Sequence, residues 1–189
     1  MMLMELCEHG DLFELVARHG GIRDLPLLSH LFKQICTAVG ALHTDLGLGH
    51  FDLKLENVLI GNDLLPKLCD FGFAGSLKKT FREVVGSASY VAPEVRNRCY
   101  SGPKPDLFSL GVMLFMMYFG RPPWLESSDR DAYFRAYRCR PEHLFKCGKI
   151  DQDLMNLTLS LLSFDPSDRP DSVYEVLKHP FFTSNLTDD

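Results

Sequence analysis

The sequence predicts a predominantly helical α+β fold, and three observations carry that prediction. Leu28, Leu31, Phe32, Ile35, Val39 and Leu42 recur at three-to-four spacing and mark one face of a long helix. A second apolar run, Leu107 to Gly120, is interrupted only by Ser109 and Gly111, and a helix apolar all round belongs in a protein core. Between them, Val58-Leu59-Ile60 and Lys67-Leu68-Cys69 read as two short strands joined through the turn signal Gly61-Asn62-Asp63.

In chain order, residues 11–17 form a short helix, with Asp11 as its cap and Gly20-Gly21 as its stop. Asp24 caps the long helix and Pro26 sits in its first turn. Gly47 and Gly49 end it and release the chain into a loop at His50. The stretch from Phe71 to Ser89 has no sustained period, as expected of a long functional loop. Helices follow at about 106–119, 128–137, 151–162 (apolar face Leu154, Leu157, Leu161) and 172–178. No linker divides the chain.

At 189 residues, the chain suits one domain or one large lobe. A net charge of −5 gives no basic surface for nucleic acid or anionic membrane, so neither is an expected partner. The six cysteines (Cys7, Cys36, Cys69, Cys99, Cys139, Cys147) contain no C-x-x-C pair, so a reducing location, cytoplasm or nucleus, is expected. Met1-Met2-Leu3-Met4 meets Glu5 and Glu8 too early for a signal peptide. The run to Gly120 would make a helix of roughly 20 Å, short of a bilayer's ~30 Å hydrocarbon core.

Three motifs then stand in order: His50-Phe51-Asp52-Leu53-Lys54-Leu55-Glu56-Asn57, Asp70-Phe71-Gly72 and Ala92-Pro93-Glu94. Asp70 lies 18 residues after Asp52, and Glu94 lies 24 after Asp70. Taken singly, Asp52 and Asn57 read as loop caps, Asp70 as a turn former and Lys54 as a solvated charge. Together, the motifs resemble a eukaryotic protein kinase from the hinge to the end of the domain. The stretch Tyr100–Trp124 and the closing His179-Pro180-Phe181-Phe182 are most similar to the calcium/calmodulin-dependent group.

The resemblance implies roles. Asp52 accepts or orients the proton of the substrate hydroxyl, and Lys54 places a positive charge beside the transferring phosphoryl group, as in serine/threonine kinases. Asn57 and Asp70 hold Mg²⁺ through hard oxygen ligands. Ser87 bonds the Asp and the Lys, and Gly86–Tyr90 is the shelf that receives the peptide. Upstream, Met4 is the gatekeeper, the backbone of Glu5 and Cys7 bonds the adenine edge of ATP, Asp11 reaches the ribose, and Leu12 and Leu59 lie beneath the ring. For residues 4–12 the plain alternative is an edge strand running into a capped helix, but the position upstream of the His50 loop is that of a hinge.

Three further positions are structural by role. Glu94 pairs with Arg169, and Asp106 caps the core helix and ties down the loop at His50. Glu56, Glu8 and Asp11 present carboxylates either to a basic side chain upstream of the acceptor or simply to solvent. Cys69, beside Asp70, is either an electrophile-reactive thiol at the nucleotide site or a small apolar filler.

The sequence departs from the family pattern in three places. Phe51 replaces the Arg that pairs with an activation-loop phosphate, so obligate switching by phosphorylation, for instance at Thr80, is not expected. Phe108 stands where a Trp is usual. The 189 residues contain no G-x-G-x-x-G loop, no V-A-I-K-like lysine and no helix with its Glu partner. The expected architecture is therefore a protein-kinase-like large lobe lacking the N-terminal small lobe: a partial domain over 1–182 and a tail over 183–189. Two functions follow: the large lobe of a Ser/Thr kinase using ATP and Mg²⁺ on a protein substrate, or a catalytically dead module. The latter would bind a protein partner on an apolar face at Met1, Met2, Leu3, Leu12, Leu59 and Phe71.

Overall fold

Short polar side chains start most of the helices in the computed structural model, which describes residues 5–145 and 149–184. Asp11 caps α1 (Leu12–His19) by accepting from the Glu14 amide at 2.8 Å, and Gly20 closes it in the left-handed conformation at φ 66°. Asp24 caps α2 (Leu25–Thr44) through the Leu27 amide at 2.8 Å, with Pro26 in the first turn. The stripe read from the sequence is the buried one: Leu28, Leu31, Phe32, Ile35, Val39 and Leu42 all face inward. The helix closes at Asp45, before the two glycines expected to end it.

β1 (Leu48–Gly49) follows, then a 3₁₀ turn at Leu55–Asn57. β2 (Val58–Ile60) pairs antiparallel with β3 (Pro66–Leu68), one residue earlier than expected, with Leu59 opposite Lys67. β4 (Gly75–Ser76) returns to pair with β1, Gly49 opposite Gly75, inside the stretch that showed no period.

α3 (Pro93–Arg96) precedes α4 (Lys104–Phe119), on which nearly every side chain from Pro105 to Met117 is buried. α4 packs against α2 and α6 (Gln152–Leu161), whose Leu154, Leu157 and Leu161 point inward as the spacing predicts. α5 (Ala132–Cys139) starts later than expected because Asp131 is its cap, accepting from Tyr133 and Phe134. α7 (Val173–Val176) and α8 (Phe181–Ser184) close the lobe against α2, with Phe182 stacked on Phe32 at 6.1 Å.

Among the described residues, α2 is also the one helix long and apolar enough to cross a membrane by length and composition. Half of it is buried against the rest of the lobe. Trp124, the sole tryptophan of the chain, is 2% exposed and packs on Phe108 (6.0 Å), Phe134 (4.9 Å) and Tyr137 (5.1 Å). Phe108 thus fills part of its site with a neighbouring indole in contact. One long-range ion pair ties the ends of this half together. Arg169 and Glu94 meet through two parallel bonds, Nη1 to Oε1 at 2.6 Å and Nη2 to Oε2 at 2.9 Å, as expected.

Candidate active site

Asp106 is fully buried, and its carboxylate is spent on the loop that follows β1. Oδ1 accepts from the Phe51 amide at 2.8 Å; Oδ2 accepts from the His50 amide at 2.7 Å and from His43 Nε2 at 2.8 Å. The expectation that Asp106 caps α4 is corrected. Pro103 occupies the N-cap, and Asp106 lies within the first turn, its oxygens taken by donors from the loop and from His43 of α2. The expected tie to the loop is present. His43 supplies the third donor and went unread in the sequence; its place four residues after Val39, on the buried face of α2, was the available signal.

His50, also fully buried, bridges the two halves of the site. The Asp52 amide donates to its Nδ1 at 3.3 Å, so the ring proton sits on Nε2, which donates to the Cys69 carbonyl at 3.0 Å. The Cys69 amide in turn donates to the Asn57 carbonyl at 3.0 Å. Cys69, the residue before Asp70, is therefore bonded to the loop at residues 50–57 through both its carbonyl and its amide.

Asp52 is 6% exposed, at the centre of a ring of donors. Lys54 Nζ reaches Oδ2 at 2.8 Å, the Ser87 amide reaches Oδ1 at 3.1 Å and Ser87 Oγ reaches Oδ1 at 3.3 Å. Lys54 Nζ also donates to Ser87 Oγ at 3.1 Å, closing a triangle of ammonium, hydroxyl and carboxylate. Asn57 Nδ2 donates to the Asp52 carbonyl at 2.9 Å and to its Oδ2 at 3.3 Å. Because both of those partners only accept, the amide nitrogen must face them, and Asn57 Oδ1 is left as a free acceptor.

Asp52, Lys54, Asn57 and Ser87 are thus brought together. Asp70 is not bonded to them. It is exposed, with φ 57°, and its Oδ1 accepts from the Gly72 amide at 3.2 Å. The Phe71 ring is 51% exposed and lies 5.2 Å from the His50 ring.

The expected adenine edge has a partial framework. Gly10 and Asp11 run beside β2, where the Ile60 amide donates to the Gly10 carbonyl at 2.9 Å and Asp11 bridges Leu59. Glu5 is exposed and its side chain ion-pairs with Lys67 at 2.6 Å; Cys7 is half-buried. Asp11 spends one oxygen on capping α1. Leu59 is half-buried and open to contact, but Leu12 has no exposed surface. The expectation that Leu12 touches a ligand ring or an apolar outer face is corrected: as the first residue of α1 it turns into the core. Met4, the expected gatekeeper, lies outside the described residues, as do Met1, Met2 and Leu3.

Residues 86–90, the expected acceptor shelf, have supports that were not read from the sequence. Trp124 Nε1 donates to the Ser89 carbonyl at 2.9 Å, and Arg96 Nη2 donates to the Ala88 carbonyl at 2.7 Å. Tyr90 hydroxyl donates to Glu56 at 3.2 Å, leaving that exposed carboxylate one oxygen for other partners. Burial, reinforced by Glu56, pushes the Tyr90 hydroxyl pKa far up, so it stays a donor. Burial likewise pushes the Cys69 thiol up, and Asp70 and Cys7 add to that.

Comparison with known proteins identifies the family. A family model described as the protein kinase domain matches residues 1–182. A Zea mays protein named "Probable serine/threonine-protein kinase CCRP1" is 33% identical over 187 residues, 95% of this chain and 29% of the relative. Calcium-dependent protein kinase 26 of Oryza sativa subsp. japonica is 35% identical over 188 residues, 95% of this chain and 34% of that protein. Calcium-dependent protein kinase 29 of Arabidopsis thaliana is 32% identical, with 100% and 36% covered. The chain spans about a third of the length of the curated relatives it matches. With a protein kinase domain model matched over residues 1–182 and relatives at 32–35% identity across nearly all of its length, this chain belongs to the protein kinase family.

Proposed function

We propose that the chain is the large lobe of a serine/threonine protein kinase, transferring the γ-phosphoryl group of ATP to a serine or threonine hydroxyl of a protein substrate. The single observation that carries this reading is the closed cluster of Asp52, Lys54, Ser87 and Asn57. A binding module has no chemical need to surround one buried carboxylate with an ammonium, a hydroxyl and an amide. Asp52 orients the acceptor hydroxyl and takes its proton as the oxygen attacks. Lys54, held by Ser87, places its charge where the phosphoryl oxygens pass. The bond to the β-phosphate breaks, and ADP leaves.

The residues fit Mg²⁺ by donor chemistry. Asn57 turns its amide nitrogen to Asp52, so among the described residues its Oδ1 is left to accept a cation, and exposed Asp70 adds carboxylate oxygen, the hard ligand set this cation prefers. Bound there with ATP, Mg²⁺ would neutralise phosphate charge. Glu5 and Cys7 offer backbone groups to adenine, Asp11 its remaining oxygen to ribose, and Leu59 an apolar floor.

Glu56 favours a basic residue upstream of the acceptor, since one of its oxygens remains after Tyr90 is bonded. Neither nucleic acid nor membrane is a partner in this reading, and the location is the cytoplasm or nucleus. A second reading, a partner-binding module without catalysis, is favoured by the apolar surface at Phe71 (51% exposed) and Leu46 (66% exposed), which border a hollow with Leu42, Leu48 and Leu68.

The test joins this lobe to a kinase small lobe carrying the glycine loop and lysine, and measures transfer from ATP to a mixed peptide library. Asp52→Ala should lower turnover by at least about 10²-fold, the scale of a general base. Undiminished phosphorylation would refute the assignment. The 189 residues alone, without a phosphate clamp, should bind Mg-ATP weakly.

A further inference from the structure

Phe51, immediately before Asp52, has φ 61°, in the left-handed region that side chains of its kind seldom occupy. Such a residue persists where its surroundings over-determine it. Its amide donates to Asp106 Oδ1 at 2.8 Å. Its carbonyl oxygen lies so near Gly86 that a Cβ there would approach it to 3.0 Å. Its ring, in a residue 7% exposed, packs edge-on against Phe81 (5.0 Å, 60°) and Tyr100 (5.7 Å, 73°), which stack on each other at 5.6 Å and 21°.

Main-chain bonds reinforce the trio. The Phe81 amide donates to the Tyr100 carbonyl at 2.8 Å, and the Tyr100 amide returns a bond at 3.3 Å. Beneath the rings, Gly49 and Gly75 face each other in the β1–β4 pair. A Cβ on Gly49 would lie 2.5 Å from the Phe51 ring, and one on Gly75 would lie 2.7 Å from the Phe81 ring. The two-residue ladder is a seat shaped for those rings.

We propose that Phe51, Phe81 and Tyr100 form an aromatic clasp that sets the acceptor shelf over Asp52 without a phosphate on the 71–89 segment. The inference rests on the kinase reading of Asp52, and the three are positioning residues. The route is short. Phe51 is held through its amide by Asp106 and through its ring by the loop residue Phe81, and its carbonyl oxygen lies against Gly86; the next shelf residue, Ser87, bonds Asp52. An arginine in this place would hold the loop only when a phosphate supplied its partner, whereas ring packing needs no modification and is insensitive to salt.

The test compares unphosphorylated full-length protein with Phe81→Ala, Gly49→Ala and Tyr100→Phe. Three readouts are taken: trypsin cleavage after the exposed Lys78, Lys79 and Arg82, hydrogen exchange across the Ser87 amide, and turnover on a serine peptide. Phe81→Ala removes two ring contacts and should raise loop cleavage and Ser87 exchange about tenfold. Turnover should fall by a similar factor with the ATP KM unchanged. Gly49→Ala should act in the same direction by displacing the Phe51 ring, and Tyr100→Phe, which keeps the ring, should match the parent. Trp124 fluorescence should be the same in all four proteins.

Unchanged cleavage and exchange in Phe81→Ala would overturn the clasp. Faster cleavage with unchanged turnover, in a parent that turns over, would overturn the positioning role. A parent without turnover fails the kinase reading instead, and Ser87 exchange alone then decides the clasp: faster supports it, unchanged overturns it.

Discussion

Arg169→Ala should be among the most damaging single substitutions in the lobe outside the Asp52 cluster. The Arg169 side chain has 0% exposure and that of Glu94 has 15%. Besides its two bonds to Glu94, the guanidinium donates to the carbonyls of Ser163 (2.8 Å), Lys104 (2.9 Å) and Phe164 (3.4 Å), and its Cζ sits 4.9 Å above the Phe108 ring. Removing one partner of a buried pair leaves an uncompensated charge and costs about 3–5 kcal/mol. Glu94 is near enough to solvent to recruit water, which favours the lower end, about 3 kcal/mol. With a urea slope of about 2 kcal/mol/M, that shifts the unfolding midpoint by roughly 1.5 M. The fluorescence of Trp124 is a built-in reporter, because its ring stacks on Phe108, the ring on which Arg169 lies. Changing both partners to Ala removes the orphaned charge, so the double variant should lose about 2 kcal/mol less than the two single losses added together. A loss below about 1 kcal/mol in Arg169→Ala, or strict additivity in the double variant, would refute the reasoning.

Other outcomes follow from local geometry. His179 has its pKa lowered, chiefly by burial, with Asp153 opposing, and its Nδ1 accepts from the Phe181 amide at 3.2 Å. The unfolded chain therefore binds the proton more readily, and stability present above about pH 6.5 is lost as pH falls through the lower folded value. His179→Asn, which keeps an acceptor but does not titrate, should flatten the change in urea midpoint between pH 7.5 and 5.5; an unchanged slope would count against this. Mild alkylation should label the exposed Cys99 and Cys139 before Cys69, whose thiol is pushed up by burial and by Asp70; mass spectrometry showing Cys69 first would reverse that reading. Thr80 is exposed, between Lys79 and the Phe81 ring, and no arginine precedes Asp52 to hold a phosphate there. Thr80→Ala should therefore leave turnover of an active full-length form within about twofold; a tenfold loss would show that the loop uses another cation.

The helices were legible because their signals are local. A capping aspartate lies within three residues of the amide it accepts from, and the α2 stripe repeats within a single helix, so short windows of sequence contain the whole argument. The Asp52 cluster was legible through the family resemblance, which singled out Asp52, Lys54 and Asn57 in one loop and drew in Ser87 from another. Glu94 and Arg169 were paired across 75 positions by resemblance alone. No periodicity in the sequence would have joined them.

What stayed hidden depends on partners far away in the chain and on elements too short to carry a period. β1 and β4 have two residues each, so neither alternation nor propensity marks them, and the segment containing β4 read as plain loop. Phe81 lies in the stretch that showed no period, and nothing in the sequence joins it to Tyr100; their contact exists only because the loop doubles back onto β1. Leu12 was misplaced because a single apolar residue at a helix start has no directional signal, and the turn of α1 decides that it faces the core. Asp106 shows the same limit inside a correct reading. Its tie to His50 and Phe51 was anticipated, yet its capping role was not realised, since a carboxylate with three donors from the loop and His43 has nothing left for its own helix. At Phe51 the departure from the family pattern was visible in the sequence as a missing cation. The structure gives that absence a positive content: a ring in a prepared seat, on a residue whose amide is bonded to Asp106.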